Sequence, residues 1–358
     1  MSRAHQAVIL AGGKGTRLRP LTNNLPKPLL PVLGRPCVEY VIESMADAGI
    51  EEIFLTCGYR ADDMVKALRS GNQLGVNIVM CVEESPAGTA GAVKLLEDRL
   101  EDTFIVASGD VLADVNIHSL IKLHDDTGAM ATMALAAVDR PEEFGIVGLD
   151  NRGRIERFKE KPRTEEIFSN LVNAGIYVLE RDVLLEMPEG EMYDFSKQLF
   201  PKLLDAGQAL YGSLLDGLWK DIGRPQDLLD ANIQMADRKG SILSHDTAET
   251  SGKIVATSFS AKDCKIDGPT YIGKDVSLGH ESKLHSSAIG DATIVGEGSE
   301  LSNSFVMNDC VIGSQCQVIG SLLGNDVIIG KGAILHNCIL GDGVRVDAGI
   351  KLLDQILE

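Results

Sequence analysis

The 358-residue chain contains no Cys-x-x-Cys pair, no hydrophobic run long enough to span a bilayer and no Asp-x-Asp string. Each absence removes a class of function. Seven cysteines, an odd number without metal-ligand spacing, support neither a disulfide framework nor a zinc site. They suit a reducing compartment, and a cytoplasmic location is expected. A membrane helix needs about 20 mostly apolar residues, so no membrane span is expected. The first apolar run, Ala7 to Leu10, is cut short by Gly12-Gly13, which predicts that there is no signal peptide. Basic residues are outnumbered, 34 Lys and Arg against 52 Asp and Glu, for a net charge of −18. That balance argues against non-specific binding to nucleic acid or an anionic membrane. Lacking Asp-x-Asp, the chain lacks the usual metal signal of glycosyltransferases that use nucleotide sugars. What remains is ordinary globular composition, 44% hydrophobic and 24% charged, in a chain long enough for two domains.

Against this acidic background, one basic cluster beside a glycine loop stands out. The string from Leu10 to Pro31 is LAGGKGTRLRPLTNNLPKPLLP. It follows a run of the kind that forms a buried parallel strand. Gly12, Gly13 and Gly15 let the backbone turn its N–H groups into a concavity, and such nests bind anions. Arg17, Arg19 and Lys27 follow. Glycine loop plus cations at a strand end reads as a polyphosphate cradle. The Lys-Ser/Thr pair of a Walker A loop is missing, and the glycine spacing is wrong for a dinucleotide fingerprint.

Residues 1–240 alternate strand and helix patterns. Ile53–Cys57, Val76–Val82 and Phe104–Ala107 read as buried strands, with helices over Pro36–Ala48, Arg60–Arg69 and Gly88–Leu100. The alternation predicts an α/β fold: a Rossmann-like mixed, mostly parallel sheet with helices on both faces. Ligands in such folds bind beyond the C-terminal strand ends, where Gly13, Gly88 and Asp110 fall. After residue 250 an aliphatic-glycine pair recurs about every six residues, as at Ile272-Gly273, Ile289-Gly290 and Ile312-Gly313. A small residue follows four positions after the aliphatic: Ser282, Thr293, Ser299, Cys316, Ala333. Cys264, Cys310, Cys316 and Cys338 recur in the repeat as small buried hydrophobes. The pattern resembles the hexapeptide left-handed parallel β-helix. It gives a catalytic domain at 1–240, a linker at 241–253 and a β-helix at 254–358. Flat faces and open coil ends need covering, so a homo-oligomer is expected.

The string from Leu10 resembles the N-terminal signature of the sugar-1-phosphate nucleotidyltransferases, G-G-x-G-T-R-L-x-P-x-T with a following K-P-x-x-P. FKEKP, EFGIV, NAGIY and LWKDIGRP match further elements of that family in order. EESPAGTAGA and LWKDIGRP look like its mannose-1-phosphate guanylyltransferase branch. The resemblance implies attack by a sugar-1-phosphate oxygen on the α-phosphorus of an NTP, with pyrophosphate leaving. The nucleophile is already an anion, so catalysis is alignment plus charge neutralisation. By the same resemblance, Leu10, Ala11, Gly12, Gly13, Gly15 and Thr16 cradle the nucleotide. Arg17 clamps its β/γ-phosphates and Lys27 neutralises the α-phosphate. Asp110 and Asp221 hold Mg²⁺. Gly145, Glu160, Lys161 and Asn173 take the sugar-phosphate: Lys161 its phosphate, Glu160 its hydroxyls, Gly145 through backbone and Asn173 through its amide. Glu83, Gly88 and Thr89 line the base pocket, with Glu84 beside them. A carboxylate at Glu83 accepts the paired N–H groups of guanine, which thymine and uracil lack. GTP and mannose-1-phosphate are thus favoured, with dTTP or UTP and glucose-1-phosphate the alternative. A non-catalytic subunit that senses nucleotide sugar is the reading from another class. A second, acyl-transfer activity on the β-helix would need a histidine such as His280, His285 or His336.

Overall fold

The computed structural model describes residues 4–83, 85–243, 245 and 247–358. The chain divides into two compact units, Met1–Gly13 with Val38–Trp219 and Lys14–Cys37 with Lys220–Glu358. The second unit therefore takes in the segment after Gly13 as well as the repeat region.

The elements run β1 (Gln6–Leu10), the short pair β2 (Pro31–Val32) and β3 (Arg35–Pro36), α1 (Cys37–Asp47), β4 (Glu52–Cys57), α2 (Ala61–Leu68), β5 (Asn77–Val82), α3 (Gly88–Lys94) and β6 (Thr103–Ser108). There follow β7 (Val111–Asn116), α4 (His118–Thr127), β8 (Ala131–Ala137), β9 (Gly145–Leu149), β10 (Ile155–Glu160), β11 (Leu171–Glu180), α5 (Phe200–Asp205), β12 (Leu210–Leu214), β13 (Asp216–Asp221) and α6 (Pro225–Lys239). The four strands expected from apolar runs are present. The helix expected over Gly88–Leu100 stops at Lys94. The chain then tightens into a separate turn at Glu97–Arg99, where Lys94 pairs with Glu97 at 2.7 Å.

In the first unit, β1 lies between β4 and β6, parallel to both; Ile9 stands opposite Leu55 and Ala107. β5 continues the parallel side beyond β4. On the other side β11 runs antiparallel to β6, β8 and β9, and β10 runs antiparallel to β9. The antiparallel share is larger than the sequence pattern suggests, because periodicity reports burial and not strand direction. Val8, Phe54, Phe104, Val106, Leu135 and Tyr177 belong to one core. β1, β5 and β6 end at one edge of this sheet, and their last residues lead into the glycine loop, Glu83 and Asp110.

In the second unit, short strands stack in three parallel sheets of seven, seven and six, one strand per sheet per coil. Register steps are 17 residues through most of the coil: Lys283 stands opposite Glu300, Glu300 opposite Gln317 and Gln317 opposite Ile334. Ile272, Ile289, Ile312 and Ile329 stack inward. Ser282, Thr293, Ser299, Cys316 and Ala333, picked out by their spacing, are all 0% exposed. Cys264, Cys310, Cys316 and Cys338 are buried free thiols, and burial pushes the Cys310 thiol up to about 12. The first rung, Ala248–Thr250 against Cys264–Asp267, begins inside the stretch read as a linker. Among the described residues, no helix is long and apolar enough to cross a membrane.

Candidate active site

The loop after β1 is tied down at once, where Ala11 N donates to Thr56 O at 2.9 Å. Gly12 then faces Glu83: an added Cβ at Gly12 would stand 3.3 Å from Glu83 Oε1, whereas one at Gly13 would meet nothing within 4 Å. Glu83 N donates to Cys57 O at 2.9 Å, and Glu83 Oε2 accepts from Ala87 N at 3.4 Å. Leu10, Ala11, Gly12, Gly13 and Glu83 are thus brought together, with a carboxylate beside bare backbone. Glu84 lies outside the described residues.

Gly88 and Thr89 meet the segment Tyr193–Phe195. Gly88 has φ +78°, and a Cβ there would stand 2.6 Å from Tyr193 O. Thr89 donates to Asp194 Oδ1 from both N (3.2 Å) and Oγ1 (3.1 Å), while its Oγ1 accepts from Phe195 N at 3.0 Å. These contacts commit Thr89 to the segment Tyr193–Phe195. Burial raises the Asp194 carboxyl, but the Thr89 bonds and Lys197 together hold it below its ordinary value.

The expected sugar-site elements meet across the β9–β10 pair. Glu160 stands directly opposite Gly145. A Cβ at Gly145 would lie 2.8 Å from Glu160 Oε2 and 2.8 Å from Phe158 Cζ, so this glycine makes room for the carboxylate. Burial raises the Glu160 pKa, opposed by Lys161 and Lys197. Lys161 takes a left-handed φ of +44°, with its N–H on Phe144 O at 2.9 Å. Asn173 Nδ2 donates to Tyr177 OH (2.9 Å) and Ser196 Oγ (3.0 Å), and its Oδ1 accepts from Gly175 N (2.9 Å). Both amide protons are therefore engaged within the protein, and what Asn173 can offer a sugar hydroxyl is an acceptor lone pair. Burial also pushes the Tyr177 hydroxyl up.

At the end of β6, Gly109 N donates to Leu10 O at 2.8 Å, and Asp110 Oδ1 accepts from Ser108 Oγ at 2.5 Å. Asp110 thus follows the same strand edge as the glycine loop.

The remaining candidates gather in the second unit. Gly15 has φ +60°, and a Cβ there would press on Lys27 Cβ at 3.0 Å and Thr22 Cγ2 at 3.2 Å. Thr16 and Arg17 lie on the 3₁₀ turn Thr16–Leu18, and Lys27 opens a second one, Lys27–Leu29. Lys27 Nζ lies 3.3 Å from Asp221 Oδ1. Gly223 leaves a gap beside them, since its added Cβ would stand 2.8 Å from Asp221 Oδ2 and 3.2 Å from Arg17 Nη2. Arg17, Lys27 and Asp221 are thus assembled around Gly15 and Gly223, at the end of β13.

Asp110, in the first unit, and Asp221, in the second, each offer carboxylate oxygens, the donor type a hard divalent cation takes. Among the described residues there is no cluster of three or more metal-ligating side chains. Mg²⁺ commonly takes only one or two carboxylates from the protein and its other ligands from water and phosphate.

Sequence reasoning assigned no site role to Tyr177, Asp194 or Ser196. The signal available was the string YDFSK, which carries two of them.

Comparison with known proteins places the chain in a family. Residues 6–238 match the nucleotidyl transferase family model, and residues 255–352 match the LbH domain of the EIF2B epsilon subunit. A UTP–glucose-1-phosphate uridylyltransferase from Synechocystis is 34% identical over 75% of this chain and 74% of its own length. A mannose-1-phosphate guanylyltransferase from Mycobacterium tuberculosis is 33% identical over 80% of this chain and 79% of its own. A solved structure from Bacillus anthracis, whose assigned name is glucose-1-phosphate thymidylyltransferase, superposes with a TM-score of 0.60 at 28% identity, covering 67% of this chain and 97% of that one. The chain belongs to the nucleotidyl transferase family, as an enzyme with a C-terminal left-handed β-helix.

Proposed function

We propose that the enzyme joins GTP and mannose-1-phosphate to give GDP-mannose and pyrophosphate. An oxygen of the sugar-1-phosphate attacks the α-phosphorus. The bond from that phosphorus to the bridging oxygen breaks, and pyrophosphate leaves with the electron pair. Arg17 and Lys27 supply fixed positive charge to the phosphates. Asp110 and Asp221 would hold Mg²⁺, which when bound neutralises phosphate charge. Glu160 accepts hydrogen bonds from sugar hydroxyls, and Lys161 pairs with the sugar's phosphate.

The observation that carries the base assignment is Glu83 beside Gly12. A planar base laid on glycine backbone there presents its edge to a carboxylate. Guanine offers two donors on that edge, and uracil or thymine offers one. The names of relatives point the same way. Beside the mycobacterial protein, a mannose-1-phosphate guanyltransferase from Saccharomyces cerevisiae is 38% identical over 64% of each chain. The Synechocystis relative supports glucose-1-phosphate with UTP as the second reading. Pyrophosphorolysis separates the two. Supplied with pyrophosphate, the enzyme is expected to release GTP from GDP-mannose faster than UTP from UDP-glucose. The reverse order would transfer the assignment to the second reading.

A further inference from the structure

The loop between Arg17 and Lys27 is anchored on the β-helix. Leu18, Leu21 and Thr22 are buried, and Thr22 Oγ1 donates to Gly15 O at 2.8 Å. Two residues of this loop meet one corner of the coil. Asn24 Nδ2 donates to Asp342 Oδ2 at 3.1 Å. An added Cβ at Gly341 would stand 3.0 Å from Pro20 Cβ, so the glycine admits the proline.

That corner terminates a ladder of acid and amide side chains at steps of 17 residues. Asp291 Oδ1 accepts from Lys274 N at 2.7 Å, and Asn308 Oδ1 from Asp291 N at 2.8 Å. Asn325 Oδ1 accepts from Asn308 N at 3.2 Å, and Asp342 Oδ1 from Asn325 N at 2.8 Å. Each side chain thus holds the backbone of the preceding coil. The glycines at these corners leave room for it: a Cβ at Gly273, Gly290 or Gly324 would meet the next coil's carboxyl or amide oxygen at 2.4, 2.5 or 2.6 Å. At Gly341 that place is taken by Pro20. Asp342 gives Oδ1 to the ladder and Oδ2 to Asn24. One carboxylate therefore joins the coil to the loop, three residues before Lys27.

We infer that Asn24 and Asp342 are positioning residues for nucleotidyl transfer, and that this corner of the β-helix fixes the loop that carries Arg17 and Lys27. The inference rests on reading those two cations as phosphate-binding. Arg17 and Lys27 sit on short 3₁₀ turns flanking the loop, so a shift at Asn24 reaches both. Misplacing a phosphate clamp weakens the nucleotide interaction and leaves the sugar-phosphate interaction intact.

The test is steady-state kinetics on the full chain with GTP and mannose-1-phosphate varied in turn, and thermal midpoints recorded alongside. N24A and D342A are each expected to lower kcat/KM for the nucleotide about fivefold, the worth of one hydrogen bond. KM for the sugar-phosphate should not move. N24D/D342N reverses donor and acceptor while the residue at 342 still accepts from Asn325, and it is expected to recover to within about twofold of wild type. D354A is the control. It removes the 17-residue pair Asn337–Asp354 (3.1 Å), in which the loop takes no part, and should behave as wild type. N24A changes no residue of the coil and leaves its ladder intact, which keeps the test open should D342A fail to fold. If the single variants match D354A, or the reversed pair stays as weak as the singles, the inference fails. A wild-type chain inactive with every substrate pair would instead remove the phosphate-binding reading beneath it.

Discussion

Lys27 Nζ and Asp221 Oδ1 are 3.3 Å apart, and only 7% of the lysine side chain is exposed. The lysine is thus enclosed against a carboxylate. Lys27 and Asp221 are 194 residues apart in sequence, and both come from family motifs whose meeting no local pattern could show. Lys27→Met removes the charge and keeps much of the stem. It is expected to lower kcat about 10²- to 10³-fold, the range for losing one fixed stabiliser of transition-state charge. Pyrophosphate release checks this, with thermal midpoints to show that the variant is folded.

Glu83 should set the base preference. Glu83→Gln keeps the shape, replaces one acceptor oxygen by a donor and removes the charge. The ratio of kcat/KM for GTP over UTP is expected to fall by about 10-fold or more, since an unpaired donor in a closed site costs about 1–3 kcal/mol. Competition between the two nucleotides measures that ratio directly. An unchanged ratio would move base recognition elsewhere.

Gly145→Ala tests the sugar side. Its Cβ would stand 2.8 Å from Glu160 Oε2 and 2.8 Å from the Phe158 ring. The carboxylate must move, and the expected result is a KM for the sugar-phosphate raised about 10-fold, with KM for the nucleotide little changed.

Glu160 links the site to pH. Burial raises its pKa above the ordinary 4.5, so the folded state binds this proton more tightly than the unfolded chain. Stability from this group is therefore present at low pH and is lost as pH rises from about 4.5 through the raised value. Glu160→Gln is expected to raise the thermal midpoint at neutral pH, with the gain vanishing in acid. At the same time it should raise KM for the sugar-phosphate and flatten that constant's dependence on pH. Opposite signs for stability and binding mark a functional carboxylate.

The sequence made the cores readable and the long-range contacts unreadable. Ser282, Thr293, Ser299, Cys316 and Ala333 follow a local spacing, and a local spacing suffices to predict that they point inward. The glycine loop is legible for the same reason: its chemistry lies within one string. Thr89 is different. Its partner Asp194 lies 105 residues away, and nothing near Thr89 distinguishes a base contact from a strut. Asn173 is picked out by its NAGIY motif, but the engagement of its amide by Tyr177 and Ser196 depends on how β11 meets the segment before α5. The reversed direction of β11 relative to β6 is likewise a property of the tertiary path, and burial patterns carry no sign for it.

The central claim is tested most directly by pyrophosphate release across four NTPs against mannose-, glucose- and N-acetylglucosamine-1-phosphate, with Mg²⁺ and with chelator. The account predicts one dominant pair, GTP with mannose-1-phosphate, silenced by chelator and restored by added Mg²⁺. A dominant UTP or dTTP pair with glucose-1-phosphate would contradict the substrate assignment, and release that persists in chelator would contradict the roles given to Asp110 and Asp221.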